Sequence, residues 1–373
     1  MGEPIRILHV IYDMDIGGAE TMIMNLYRNI DHSRVQFDFI VHNPEPCYFN
    51  DEIEATGGRI YCAPSNKVNN TFLYKKWWKS FFNIHKEYKI IHGHVRSSAY
   101  IYLKEAKKHG LITIIHCHSA SSNTKFSKIG ISILRNSIVH NSDYLVACSV
   151  LAGEWFYGKQ NCKSSTFSII NNAINANEYT FNETIRSKMR TELHLDNKFT
   201  IGHVGRFVPA KNHEFLIDIF KEVLKIMPEA LLLLVGDGEL RKEIEEKADK
   251  LGIKDSVIFT GTRRDVPDIL QAIDLFLLPS AWEGLPVSVI EAQSAGIPCI
   301  ISDAIANEAC ITPYIKKLSL SLSPGVWAKE IIRTEMNCRN NSSHYIKESG
   351  FDIKETSKEL TEFYEMLKSG SRA

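Results

Sequence analysis

The run Phe199-Thr200-Ile201-Gly202-His203-Val204-Gly205-Arg206-Phe207-Val208-Pro209-Ala210-Lys211-Asn212-His213 decides the fold. Phe199–Val204 has the length and apolar character of a buried strand. Gly205 and Pro209 punctuate a loop, and a helix-spaced pattern runs from His213 to Ile226. A second apolar run, Ala230–Val235, follows directly. Strand, loop, helix and strand in this order make a βαβ unit, which requires parallel pairing. Toward the C-terminus the alternation continues. A charged amphipathic helix over Leu240–Leu251 is closed by Gly252, and strands are predicted at Val257–Thr260, Leu275–Leu278 and Pro298–Ser302. Toward the N-terminus, strands are predicted at Ile5–Ile11, Phe37–Val41, Ile90–His94, Leu111–His116 and Tyr144–Cys148. Helices fall at Ala19–Ile30 and around Ser98–Lys108.

The expected fold is therefore α/β, with two doubly wound halves. The polar, turn-prone run Asn171–Asn177 marks the join within Ile170–Tyr179. This gives a first domain over residues 1–172 and a second over 173–352. A loop in the 340s precedes the last amphipathic helix, Ile353–Leu367, and residues 353–373 are expected to cross back to the first domain.

The chain has 373 residues, a length that suits two domains. Its 44 lysines and arginines balance its 44 aspartates and glutamates, so the basic excess of a nucleic-acid binder is missing. Hydrophobic residues make up 44%, which argues against disorder. The eight cysteines are scattered without a C-x-x-C pair, so neither a disulfide framework nor a zinc ribbon is indicated. No signal peptide is visible, and no apolar run approaches the roughly 20 residues of a membrane span. A cytoplasmic protein is expected.

The chemistry concentrates in a few loops. Pro279-Ser280-Ala281-Trp282-Glu283-Gly284-Leu285-Pro286-Val287-Ser288-Val289-Ile290-Glu291 follows a strand. Pro286 suits the first position of a helix that Gly296 stops, leaving the amides around Leu285–Ser288 as unpaired donors for an anion, beside Gly284. Glu283 and Glu291 flank that site, and carboxylates suit sugar and ribose hydroxyls better than phosphate. Two glutamates at this spacing are common by chance, and it is the flanking strand, Gly284 and Pro286 that give them weight. Arg206 and Lys211 put two cations in one βα loop, as a diphosphate leaving group requires. An ordinary pair of solvated charges is an equal reading of that loop alone.

Gly17-Gly18 opens the first helix and allows close ligand approach, but G-x-G-x-x-G is absent. Asp13-Met14-Asp15 matches the metal-holding D-x-D of other sugar transferases only formally. His116 and His118 end a strand and point the same way. A zinc site would need further ligands, and none is evident in the sequence. Tyr74, Trp77, Trp78, Phe81 and Phe82 follow helical spacing with Lys75, Lys76 and Lys79 outside them. That face either packs on the sheet or docks peripherally on the inner face of a membrane.

Together these stretches resemble the group 1, family-4 retaining glycosyltransferases of GT-B fold, and within them the EpsF-type enzymes of bacterial exopolysaccharide and capsule synthesis. The resemblance rests on Gly17-Gly18-Ala19-Glu20, Ile115-His116-Cys117-His118-Ser119, Gly205-Arg206-Phe207 with Lys211-Asn212-His213, Val235-Gly236-Asp237-Gly238, and Glu283–Glu291. It covers essentially the whole chain and implies two Rossmann-like domains facing across a cleft. It implies donor pyrophosphate binding by Arg206 and Lys211 and ribose binding by Glu291. Glu283 and the Gly284–Val287 segment would contact the transferred sugar and phosphate. Arg263 would border the base, and Gly17 and Gly18 would frame the sugar and β-phosphate. The catalytic histidine maps onto His116, or alternatively onto His118. Where the family has Asn-Gly-Ile-Asp, this chain has Asn172-Ala173-Ile174-Asn175.

The expected activity is metal-independent, cofactor-free transfer of a sugar from a nucleotide diphosphate sugar, UDP-linked, to a hydroxyl of a saccharide acceptor, lipid-linked, in surface polysaccharide synthesis. A GT-B-like UDP-sugar epimerase and a non-catalytic nucleotide-sugar-binding subunit are the alternatives.

Overall fold

A computed structural model describes residues 3–64, 70–118, 128–335, 339 and 342–370, with the backbone alone for 128–133. Ser119, Cys338, Asn340 and Asn341 lie outside the described residues. The chain forms two compact units, Met1–Ala173 with Ile353–Ala373, and Ile174–Asp352.

The strands of the first unit are β1 (Ile5–Val10), β2 (Val35–Val41), β3 (Ile60–Cys62), β4 (Ile90–Gly93), β5 (Ile112–Cys117), β6 (Tyr144–Ala147) and β7 (Phe167–Ile169). All pair in parallel, in the order β3-β2-β1-β4-β5-β6-β7. Its connecting helices are α1 (Gly18–Asn29), α2 (Asn50–Ala55), α3 (Thr71–Ile84), α4 (Ala99–Lys108), α5 (Lys128–His140) and α6 (Val150–Tyr157). Successive residues of β1 feed opposite cores. Ile7 joins Phe37 and Phe39 on one face, and Leu8 and Val10 join Tyr74, Trp78 and Tyr102 on the other. Both faces being covered, the strands read as continuous apolar runs rather than alternating ones.

The aromatic stripe of α3 packs on the sheet. Tyr74, Trp78, Phe81 and Phe82 are buried against the sheet, and Lys75, Lys76 and Lys79 are exposed.

In the second unit the elements are α7 (Glu183–Glu192), β8 (Thr200–Val204), α8 (His213–Leu224), β9 (Leu231–Val235), α9 (Arg241–Lys250), β10 (Val257–Gly261), α10 (Val266–Ala272), β11 (Leu275–Leu278), α11 (Val287–Ser294), β12 (Cys299–Ser302), β13 (Ile315–Leu318), α12 (Pro324–Arg333) and α13 (Ser343–Glu348). The strands are parallel in the order β10-β9-β8-β11-β12-β13. Ser343 thus begins a helix where a loop was expected. The last helix, α14 (Ile353–Ser369), belongs to the first unit. It buries Ile353, Leu360, Tyr364 and Leu367 on the Phe37 face, and Arg34 pairs with Glu365.

Strand order reverses between β1 and β4 in one sheet and between β8 and β11 in the other. At such a switch point the loops leaving the carboxyl ends splay apart, which is where ligands of open α/β sheets bind.

One local detail differs from expectation, and its neighbour agrees with it. Helix α11 starts at Val287, and Pro286 is its extended N-cap (φ −73°, ψ 108°) rather than its first helical residue. Beyond its C-terminal end, Gly296 adopts φ 69°, its amide donating to Gln293 O and that of Ile297 to Ala292 O. This double bond is the glycine stop anticipated there. Among the described residues, no helix is long and apolar enough to cross a membrane.

Candidate functional site

In the second unit the loops after β8 and β11 are tied together. Ala281 N–H donates to Ala210 O at 2.8 Å, and Asn212 Nδ2 donates to Pro279 O at 3.1 Å. Asn212 adopts a left-handed conformation (φ 56°), which asparagine tolerates better than most residues. A third loop, Gly236-Asp237-Gly238, lies directly over the first. Phe207 N–H donates to Asp237 O at 3.0 Å, and a Cβ on Gly236 would stand 2.2 Å from Gly205 O. With φ 135°, Gly236 is required both by conformation and by space. Beneath, His213 stacks on Phe207 at 4.0 Å and meets His203 edge-on at 4.6 Å. Both rings are buried. Burial lowers the His213 pKa to about 4, with Lys211 adding to the effect.

These loops bring together four of the expected residues, Arg206, Lys211, Glu283 and Glu291. Lys211 Nζ lies 2.7 Å from Glu283 Oε1, both side chains being mostly covered, and Ser280 Oγ donates to the same oxygen at 2.9 Å. Glu291 Oε1 accepts from Tyr179 O–H at 2.8 Å. Burial raises the Glu291 pKa; Tyr179 opposes this, and Glu178 adds to it. Arg206 is exposed and, among the described residues, its side chain makes no hydrogen bond or ion pair. Of the two expected cations, one is therefore already neutralised by the expected carboxylate, and only Arg206 carries uncommitted charge.

At the start of α11 the Leu285 side chain is buried in the core, and the amides of Leu285, Val287 and Ser288 donate to no acceptor among the described residues. Such amides at a helix N-terminus attract an anion. Arg263 follows β10, but Asp265 holds it through two bonds of 2.8 and 2.5 Å, with Glu192 at 3.3 Å. It is a structural ion-pair centre as well as a candidate neighbour of a base. Tyr179 was not anticipated. It lies in the polar linker, a stretch whose spacing carries no motif.

In the first unit, Gly17 is the N-cap of α1, and a Cβ there would stand 2.2 Å from Glu20 Oε2. Glu20, at the third helical position, reaches back over the cap as in a capping box. A phosphate at Gly17 and Gly18 would have to displace that carboxylate. Asp15 of the D-x-D sequence accepts from Tyr48 N–H at 3.0 Å, as a turn residue does.

The carboxyl ends of β1, β4 and β5 carry a larger feature. His9, His92, His94, His116 and His118 stack side by side, with His116 and His118 centroids 4.1 Å apart. His9 Nδ1 is 2.9 Å from His94 Nε2, and His94 Nδ1 is 2.7 Å from His118 Nε2. His92 Nδ1 is 2.7 Å from Tyr364 O–H on α14. His116 is buried, whereas His94 and His118 are partly exposed. Burial lowers the pKa of His9 and of His118 to about 3, with Arg96 adding to the effect on His118.

Each neutral imidazole has one N–H, so the His9–His94–His118 chain runs in one direction or the other. Either way one N–H and one lone pair are left at its ends. Those ends, His9 Nε2 and His118 Nδ1, are buried without a partner among the described residues.

The ring nitrogens of His9, His92 and His94, and of His94, His116 and His118, come within 4.8 Å of one another. Imidazoles suit zinc or copper. Tetrahedral ligands at about 2.05 Å from zinc would stand roughly 3.3 Å apart, however. The 2.7 and 2.9 Å contacts are those of hydrogen bonds, and the Arg96 cation opposes a divalent ion. The donor set fits an imidazole chain better than a metal. The partner missed in the sequence was His92-Gly93-His94, the same i, i+2 pattern at the end of the neighbouring strand.

Comparison with known proteins agrees with this architecture. Residues 185–348 match the family "Glycosyl transferases group 1", and residues 16–178 match "Glycosyltransferase Family 4". The chain is 32% identical over 369 residues to the putative glycosyltransferase EpsF of Bacillus subtilis, covering 96% of each. It is 36% identical over 118 residues to the UDP-Gal:α-D-GlcNAc-diphosphoundecaprenol α-1,3-galactosyltransferase of Escherichia coli, 31% of this chain and 30% of that one. Among solved structures, Anabaena HepE, crystallised with UDP, superposes with a TM-score of 0.80 at 20% identity, covering 96% and 99% of the two chains.

Proposed function

From the premise that the chain belongs to the group 1, family-4 glycosyltransferases, and is a glycosyltransferase of GT-B fold, we propose that it moves a sugar from a UDP-sugar to a hydroxyl of a saccharide acceptor carried on a lipid. The observation that carries the donor assignment is the switch point of the second unit. There Arg206 is uncommitted, three amides at the start of α11 are unpaired, and Glu283 and Glu291 are held by Lys211 and Tyr179.

Each group has a distinct task. Arg206 and the α11 amides stabilise the charge that develops on the diphosphate as the bond to the sugar breaks. Lys211 shares its charge between Glu283 and the diphosphate, so that donor binding loosens one pair as it forms another. Glu283 accepts from a sugar hydroxyl, and Glu291, oriented by Tyr179, accepts from the ribose. His118, the partly exposed end of the imidazole chain, supports the sugar as positive charge develops, with His116 buried beside it. Retention of configuration follows if the leaving phosphate takes the acceptor proton on the same face. The UDP preference and the lipid-linked acceptor draw support from the names of the relatives above.

The test uses a panel of UDP-, GDP- and ADP-sugars with the full chain, measuring nucleotide release with and without acceptor. Arg206→Ala, Lys211→Ala and Glu283→Ala are each expected to lower donor turnover by about 100-fold or more, in the range of lost transition-state stabilisers. Unchanged turnover in all three would remove the site assignment. Conversion of the sugar without acceptor would instead indicate an epimerase.

A further inference from the structure

The aromatic stripe of α3 is used against the sheet, and the face turned away from the sheet carries a second pattern. Phe72 is 78% exposed, Leu73 57% and Ile84 73%. Leu73, Lys76, Ser80 and Ile84 fall at i, i+3, i+7 and i+11, so they form one line along that outward face. Its two apolar ends stand about 16 Å apart along the helix. Lys75, Lys76 and Lys79 are exposed, and their side chains make no ion pair or hydrogen bond among the described residues. Helix α3 contains no acidic residue, and neither do residues 65–69 before it. Lys75 and Lys79 are four residues apart, a spacing at which like charges destabilise a helix. These lysines therefore do not serve the stability of α3.

The charge extends beyond one helix. Helix α4 packs beside α3, with Trp78 and Tyr102 centroids 5.4 Å apart. Together the two helices carry six lysines and one glutamate, Glu105, which Lys108 already holds at 2.9 Å. On the other face of the same sheet, α1, α2 and α14 carry four basic and eight acidic residues. A chain with no net charge is thus polarised across its first sheet. A polyanion such as nucleic acid would satisfy the lysines but leave Phe72, Leu73 and Ile84 in water. The headgroup layer of an anionic bilayer serves both, with phosphates for the lysines and acyl chains for the apolar side chains.

We propose that the outward face of α3, continued by α4, docks on an anionic lipid bilayer. Phe72, Leu73 and Ile84 enter the headgroup layer, and Lys75, Lys76 and Lys79 lie against lipid phosphates. This rests on the reading of a lipid-carried acceptor for its biological meaning, but the binding itself does not. Docking confines the enzyme to the layer that presents such an acceptor and raises the effective concentration of one for the other.

The experiment is vesicle flotation with the full chain. The probes are vesicles of phosphatidylcholine alone and of phosphatidylcholine mixed with phosphatidylglycerol. The wild type is expected to float with the anionic vesicles, not with the neutral ones, and to be released by salt. Lys75→Gln, Lys76→Gln and Lys79→Gln combined are expected to weaken binding about 100-fold, at about fivefold for each lysine. Phe72→Ser with Leu73→Ser is expected to weaken it at least tenfold while leaving binding to heparin unchanged. All five positions are exposed, and circular dichroism establishes that both variants are folded. Nucleotide release from the donor in solution is expected to stay at the wild-type rate in each. Failure of the wild type to bind anionic vesicles, or equal binding to neutral ones, would overturn the proposal. Vesicle binding that survives the lysine substitutions would also overturn it. So would unchanged vesicle binding in the Phe72 and Leu73 variant, by assigning the face to a polyanion. Because flotation needs no catalysis, these outcomes are distinct from failure of the transferase reading, which the donor assay reports.

Discussion

Arg206 and Lys211 look alike in the sequence, and the structure separates them. Lys211 is committed to Glu283 in a mostly covered pair, whereas the Arg206 side chain has no partner among the described residues. Removing one member of a covered pair strands the other, at a cost of about 1–3 kcal/mol for a site that is not fully buried. Lys211→Met should therefore lower stability by that amount, and Lys211→Met with Glu283→Gln should recover most of it. Arg206→Gln should leave the melting temperature unchanged while turnover falls. Denaturant titration beside turnover assays checks the contrast.

Glu291 gives a pH prediction. Its folded-state pKa is raised by burial, so the unfolded chain ionises it at lower pH than the folded one. Stability from this group is thus greatest when it is protonated and declines as pH rises from the ordinary value of 4.5 through the raised folded one. Donor affinity runs the other way, because ribose binding uses the ionised carboxylate. It should fall as pH is lowered through the raised pKa, and Glu291→Gln should flatten both profiles. A stability profile in Glu291→Gln identical to that of the wild type would contradict the assignment.

At the scale of elements, the strand ends govern function. The His9–His94–His118 chain exists because β1, β4 and β5 are parallel neighbours whose last residues project together. His94→Phe should keep the fold, since the ring still stacks. It should leave His118 without its hydrogen bond and lower kcat more than it changes KM for the donor. His94→Asn, which retains a donor and an acceptor, should recover part of the loss. Equal effects of the two substitutions would assign His94 to packing alone.

Both halves of the βα alternation, and the loops carrying Arg206, Lys211, Glu283 and Glu291, were legible because buried parallel strands are continuous apolar runs and their loops carry glycine and proline. The edge strands β3, β7 and β13 were not, being short and partly exposed, so no apolar run marks them. The five-histidine cluster was half visible. His116 and His118 stood out, but linking them to His9 and His92–His94 requires strand order, which only the βαβ crossovers determine. The commitment of Lys211 to Glu283 joins loops 72 residues apart and has no local signature.

At the scale of the molecule, the C-terminal segment belongs to the first unit although it follows the second. Tyr364 bonds His92 beneath the imidazole cluster, and Leu360 and Leu367 fill the Phe37 core. Truncation after Asp352 should therefore abolish the cooperative unfolding transition of the first unit and leave that of the second. Hydrogen exchange would show lost protection in β1, β2 and α1 and retained protection in β8, β9 and β11. The balance of 44 basic and 44 acidic residues also reads differently at this scale. It conceals the uncommitted charge of Arg206 at the switch point of the second unit.

On the reading proposed above, the switch point of the second unit binds the donor diphosphate. UDP calorimetry on the wild type and on Arg206→Gln tests it most directly. The wild type is expected to bind one equivalent of UDP, and Arg206→Gln to lose at least tenfold in affinity at unchanged stability. Equal UDP affinity in the two proteins, or no binding to the wild type, would contradict it.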